Sequence, residues 1–367
     1  MNLADGNYTH DQVWDMLTKS KRNVYYEYSV HDNSGKTLGY LTKCEGKISF
    51  DATSSVMRTF SGTASKSELL DINLIDERVI PWFCLEIGKK EKLKFPLGKF
   101  IISPSYNLYG SEELVNIKGY DLGKLALDDK IDSRFVVKTG SYYTNEIQSI
   151  LSKIYPLTDI VAFSKSKNSN CEWSPGTSKL KIVNDLLTAI NYYPLHFDEY
   201  GIPKAIPYVF PEENRIDAFY KIGKESVILP DLTLLSNRFD IPNKFVRYVE
   251  NVDGSYLVSR YINQDPNDIF STINRGRVIT DISSVPDISS QNELDNYVKR
   301  CAVASMTVND KVIFKTLNMP GHGFKNCIFL EIKEQNIYGK YIENGWEMDL
   351  RAGGEMTHRC VKAVKLS

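Results

Sequence analysis

Apolar positions first recur at helical spacing and then switch to alternation. Val13, Met16 and Leu17 lie one helical turn apart, and Thr9 with Gln12 before them has the form of a capping box. This predicts a helix that ends near Lys21-Arg22, whose cations suit a helix C-terminus. Tyr26, Tyr28 and Val30 then share one face of a strand, and His31-Asp32-Asn33-Ser34-Gly35 has turn chemistry. Leu38–Leu41 begins the return. Further strands are expected at 47–51, 56–62, 82–87, 98–102 and 114–120. Short strands at regular spacing with polar turns predict a barrel or sandwich of about a hundred residues.

After Asp121 the period changes. Thr144 is the expected cap of a helix bearing Ile147, Ile150, Leu151 and Ile154, stopped by Pro156. Pro175-Gly176 breaks the chain before a second helix, with Thr177 as its expected cap and Leu180, Val183, Leu187 and Ile190 on its apolar face. Strands return at Phe245–Glu250 and Tyr256–Ile262, joined across Asp253-Gly254. Ser290 and Glu293 open another helix, and short strands fill the rest. The expected class is therefore α+β, mainly β. A helix occupies 1–24, a first β block 25–121, a mixed module 122–231, and a second β block 232–367 with a helix at 290–305 and C-terminal hairpins. Strands near 232–262 are candidates to complete the first block.

Composition narrows the function. The 367 residues carry 45 Lys+Arg against 46 Asp+Glu, a net charge of −1, which opposes a dedicated nucleic-acid or membrane-surface binder. No apolar run is long enough to span a bilayer as a helix, and the first residues lack the pattern of a signal peptide. The 22 tyrosines and 16 phenylalanines favour pleated sheet and suit interfaces.

The candidate chemistry is sparse. Cys44, Cys84, Cys171, Cys301, Cys327 and Cys360 are scattered, with no CxxC, and read as reduced, mostly buried thiols. His10, His31, His196, His322 and His358 make no HExxH or HxH pair and read as solvated turn histidines. Gly321-His322-Gly323-Phe324 allows either an anion-binding turn or a plain surface turn. Asp128-Asp129 and Glu212-Glu213 read as solvated faces. Lys89-Lys90-Glu91-Lys92-Leu93-Lys94 reads as a lysine-bearing hairpin tip that discourages edge pairing. No serine sits in GxSxG, and no phosphate loop is present. No catalytic, cofactor-binding or metal-ligating residue is expected, and no interface residue is singled out.

One resemblance adds to this. Arg58-Thr59-Phe60-Ser61-Gly62-Thr63, Asp71–Pro81, Pro96–Ile102, Gly119-Tyr120-Asp121-Leu122, Trp173–Leu180, Asn184–Leu187 and Phe197–Gly201 together resemble the phage tail hub family, the tail-associated or baseplate-hub proteins of phages and prophages of Gram-positive bacteria. The resemblance implies two tube-type β-barrel domains with accessory domains between them. It implies a homotrimer in the virion tail, assembled in the host cytoplasm. That trimer would close the distal tail tube and open for the tape-measure protein and for DNA in transit. Its other partners would be a distal tail or ring protein and fibre or receptor-binding proteins. No hydrolase motif is found up to Ser367, so lytic activity is expected from another chain. The rival expectation is a carbohydrate-binding or peptidoglycan-degrading tail protein using Trp173 and Trp346 as sugar platforms.

Overall fold

The computed structural model describes residues 3–4, 7–19, 21–70, 77–88, 91–105, 113–223, 226–236, 239–250, 256–285, 288, 290–307 and 310–364. Lys89, Lys90, most of Asp71–Pro81 and the Asp253-Gly254 turn lie outside them.

The chain is mainly β, with few helices. Its first helix, His10–Thr18, carries the whole capping box: Thr9 Oγ1 accepts from Gln12 N, and Gln12 Oε1 accepts from Thr9 N at 2.9 Å. It stops earlier than the pattern implied. Arg22, placed in the expected last turn, instead reaches back from outside the helix to donate to Leu17 O at 3.1 Å. Val13 and Leu17 are fully buried. Thr9→Ala is expected to cost about 1 kcal/mol and to speed amide exchange in this helix first, because the Gln12 N–H loses the hydroxyl that caps it.

The two β blocks are joined in one sheet. Its order runs Ile228–Ser236, Asp310–Leu317, Glu355–Lys362, Ile337–Leu350, Cys44–Asp51, Arg58–Ser65, Leu114–Asp121, Phe100–Ser105, Arg78–Ile87, Asn23–His31, Thr37–Leu41. The seam is antiparallel, from Gly345 opposite Asp51 to Leu350 opposite Gly46. Among the described residues no pairing closes either block on itself. Alternation along these strands puts Tyr28, Phe50, Phe60, Phe83, Phe100, Phe314, Trp346 and Met348 into one continuous apolar core. Gly46 and Gly62 face each other across two of the strands, and a Cβ on Gly62 would lie 2.1 Å from Glu45 O.

The segment after Asp121 has its own core. Helices Tyr143–Leu151 and Lys179–Ala189 pack Ile147, Leu151, Val183, Leu186 and Leu187 together. The expected caps are displaced. Tyr142, not Thr144, precedes the first helix and makes no side-chain cap bond; Ser178, not Thr177, caps the second, its Oγ accepting from Lys181 N at 3.2 Å. The reason is tertiary. Tyr142 bridges Ser166 and Ser178 bridges Lys130, and these bridges hold both residues extended at the helix entrances.

The strands near 232–262 divide. Ile228–Ser236 pairs with Asp310–Leu317 at the far end of the sheet, in the second block rather than the first. Lys244–Glu250 pairs with Tyr256–Ile262 and with Thr280–Ser284, and helix Gln291–Thr307 covers this small sheet through Phe245, Val298 and Ala302. Strand 244–250 is thus occupied on both edges and has no room for the first block.

Candidate functional site

The Gly321-His322-Gly323 turn points its histidine inward. Gly321 takes φ +82°, and the His322 imidazole is fully enclosed. Its Nδ1 donates to Glu343 Oε2 at 2.7 Å, and His358 Nδ1 donates to Glu343 Oε1 at 2.7 Å. The outer nitrogens meet hydroxyls: Tyr220 OH lies 2.8 Å from His322 Nε2, and Thr316 Oγ1 lies 2.8 Å from His358 Nε2. Phe314 stacks on the His358 ring at 4.6 Å. The node ties together strands 218–221, 310–317, 337–350 and 355–362 and the turn at 321–323.

Burial alone would raise the Glu343 carboxyl, but the charge and hydrogen bonds of the two imidazoles outweigh it and hold it at about 2. Burial pushes the His358 imidazole down, against the pull of Glu343. These three side chains are of types that hold metals, and their ligand atoms lie within 4.8 Å of one another. Yet both Nδ1 atoms and both carboxylate oxygens already face each other at hydrogen-bond distance, so a cation would have to break both bonds. The node is a satisfied polar core, closed to substrate.

A bulge puts Glu343 there. The register of Ile337–Leu350 against Glu355–Lys362 slips between Glu343 and Gly345. Tyr341 and Glu343 then share the inner face with Trp346, Met348 and Leu350, positions of opposite parity. Asn344-Gly345 was the sequence signal for it, because glycine inside a strand marks bulges.

The other expectations of solvated side chains change similarly. His31 and His196 are buried, and His10 stacks on Trp14. His196 lies face to face with Phe324 at 4.0 Å, its Nδ1 3.1 Å from Pro194 O. Burial pushes its imidazole down from 6.5 to about 4. The native state therefore binds fewer protons than the unfolded chain between pH 6.5 and 4, and stability falls as pH drops through that window. His196→Phe is expected to remove roughly 3 kcal/mol of this acid loss, read as a smaller shift of the denaturation midpoint between pH 7 and pH 4.

Of the lysine cluster, Lys92 and Lys94 lie on strand Glu91–Pro96, and both pair with Glu27 on the sheet face, Lys92 at 2.9 Å. Asp128 and Asp129 pair with Lys124 and Lys179. Trp346 is 1% exposed, and Trp173 is 8% exposed with its Nε1 donating to Asp185 at 2.9 Å. Neither ring face is available to a sugar. None of the six cysteines is in a disulfide, and Cys301 alone among them is not buried.

Apolar surface is exposed on a sheet face and on the two end strands. Phe219 and Tyr338, 60% and 68% exposed, flank Phe329 at centroid distances of 5.6 and 5.0 Å. Leu234 and Leu235 are exposed on one end strand of the sheet, Leu38 and Tyr40 on the other. A cleft of about 250 Å³ lies where the units meet, lined by Tyr193, Tyr208, Arg300, Phe324 and Lys325.

No family model matches the sequence, and no curated protein matches it. Solved structures do. The tail protein from Neisseria meningitidis MC58 superposes with a TM-score of 0.66 at 11% identity, covering 92% of this chain and 97% of that one. The 43 kDa tail protein of prophage MuSo2 from Shewanella oneidensis gives 0.61 at 10%, covering 93% and 100%. Prophage tail protein gp18 from Listeria monocytogenes EGD-e gives 0.54 at 9%, covering 91% and 94%. Over more than nine-tenths of its length, this chain has the fold of phage tail proteins.

Proposed function

We propose that this chain is a non-enzymatic structural protein of a phage tail tip or baseplate. The observation that carries the reading is the likeness to solved tail proteins along nearly the whole of both chains. In this reading the chain forms a homotrimer. Each copy contributes two β blocks, so three copies offer six similar units to a six-fold tail ring and close it. The exposed edges carrying Leu38, Tyr40, Leu234 and Leu235 supply contact surface of the kind assembly needs. The distal ring protein would bind on one side and fibre or receptor-binding proteins on the other. Opening of the trimer would release the tape-measure protein and DNA.

Light scattering on the chain alone and with its neighbouring ring protein tests this. A trimer, or a complex of three copies per ring, is expected. A monomer at high concentration that ignores the ring protein would defeat the reading. Zymography on host cell walls is expected to show no cleared band.

A further inference from the structure

The segment after Asp121 holds a buried amine against a buried thiol. Lys167 and Cys171 are 2% and 3% exposed, and Lys167 Nζ is in hydrogen-bond contact with Cys171 Sγ. The Tyr143 ring, 1% exposed, presents its face to Nζ at 4.7 Å. Both backbones are pinned. Lys167 N donates to Ser141 O at 2.8 Å, and Lys167 O accepts from Gly140 N at 2.9 Å. Cys171 pairs with Val137, and Asn170 Oδ1 accepts from Thr139 N at 2.8 Å. The amine and thiol are thus held together by the fold at both ends of a five-residue loop.

We propose that Lys167 and Cys171 are a redox modification site, joined in the oxidised protein by one bridging oxygen, Nζ–O–Sγ. Dioxygen is the oxidant. The S–H bond and one N–H bond break, and S–O and O–N bonds form around one oxygen atom. The two hydrogens leave with the other oxygen as water, so the four electrons lost by sulfur and nitrogen are those dioxygen gains. The amine and the thiol are neighbours with both backbones in place, so a one-atom bridge needs only a small movement of the flexible lysine end. Bridging also leaves Nζ uncharged inside an apolar cluster, where a charged amine is costly. Asn168, Ser169 and Asn170 between the two residues are exposed, so a small oxidant needs only a local opening of this loop.

Trypsin reads the outcome, because it cleaves after a free lysine. The full chain, exposed to air or dilute peroxide, is denatured without reductant, digested and analysed by mass spectrometry. The expected product is an uncleaved Ser166–Lys179 peptide heavier by about 14 Da, one oxygen gained and two hydrogens lost. Treatment with a phosphine reductant should return the unmodified mass and cleavage after Lys167. Cys171→Ser should give cleavage under all conditions. Complete cleavage after Lys167 with an alkylatable Cys171 thiol in the oxidised chain overturns the proposal. So does a peptide lighter by about 2 Da, a direct N–S bond, or heavier by about 16, 32 or 48 Da, oxidation at sulfur alone. The measurement uses the unmutated protein, so it does not depend on any variant folding.

Discussion

Glu343→Ala is expected to destabilise the protein by about 3–5 kcal/mol, the cost of breaking a buried ionic network by removing one partner. The substitution leaves two buried Nδ1–H donors without the oxygens that lie 2.7 Å away, and it opens space at the centre of the core. Denaturation midpoints of the variant and parent at pH 7 measure the loss. A change below about 1 kcal/mol would mean the node is not a structural unit. The parent should also show an acid limb of its own. Glu343 is held at about 2 against an ordinary 4.5, so the native carboxylate stays charged where the unfolded one takes a proton. Its contribution is complete above pH 4.5 and is lost as pH falls towards 2. Replacing Glu343, His322 and His358 together by leucine is expected to recover much of the lost stability, since apolar substitutes for buried ionic groups are often neutral or better.

Trp346→Ala is expected to cost a comparable amount, about 3–5 kcal/mol, and to act on the seam between the β blocks. Trp346 is paired with Phe50 across that seam, and their rings stack at 5.8 Å with an interplanar angle of 12°. The Arg58 guanidinium lies over both rings, 5.6 and 5.8 Å from their centroids. Arg58 also donates to Asp198 O, so the same cluster reaches the segment after Asp121. Truncating the tryptophan leaves a cavity between the two blocks, beside Phe50 and under the Arg58 guanidinium. Limited proteolysis should then release fragments cut between the blocks sooner than in the parent, alongside the lower denaturation midpoint. Equal cleavage rates in both proteins would show that the seam is not held here.

Local signals were legible where local forces settle the outcome. The Thr9–Gln12 box formed as its spacing implied, because both partners lie within one turn. The Asp32 turn likewise closed, with Gly35 at φ +90° and Asp32 Oδ1 accepting from Ser34 N and Lys36 N. Thr144 and Thr177 are not the caps, because bridges to Ser166 and Lys130 choose where each helix begins. The node was illegible. His322, Glu343 and His358 form no local motif, and only strand register and one bulge turn all three inward. Trp173 and Trp346 looked like candidate platforms because sequence reports a ring but not which face of a sheet receives it.

By itself, the sequence determined the mainly β class, the helical interruption after Asp121 and the first helix with its cap, since these follow from period and from contacts a few residues apart. Tertiary structure alone decided that strand 337–350 joins strand 44–51 into one sheet, that Glu343 meets two histidines, and that Lys167 meets Cys171 in a pinned loop. Those contacts depend on sheet register and on backbone pairing between separate segments. Moving register by one residue turns every side chain of a strand to the opposite face, so the pattern of polar and apolar residues constrains the register without naming the partner.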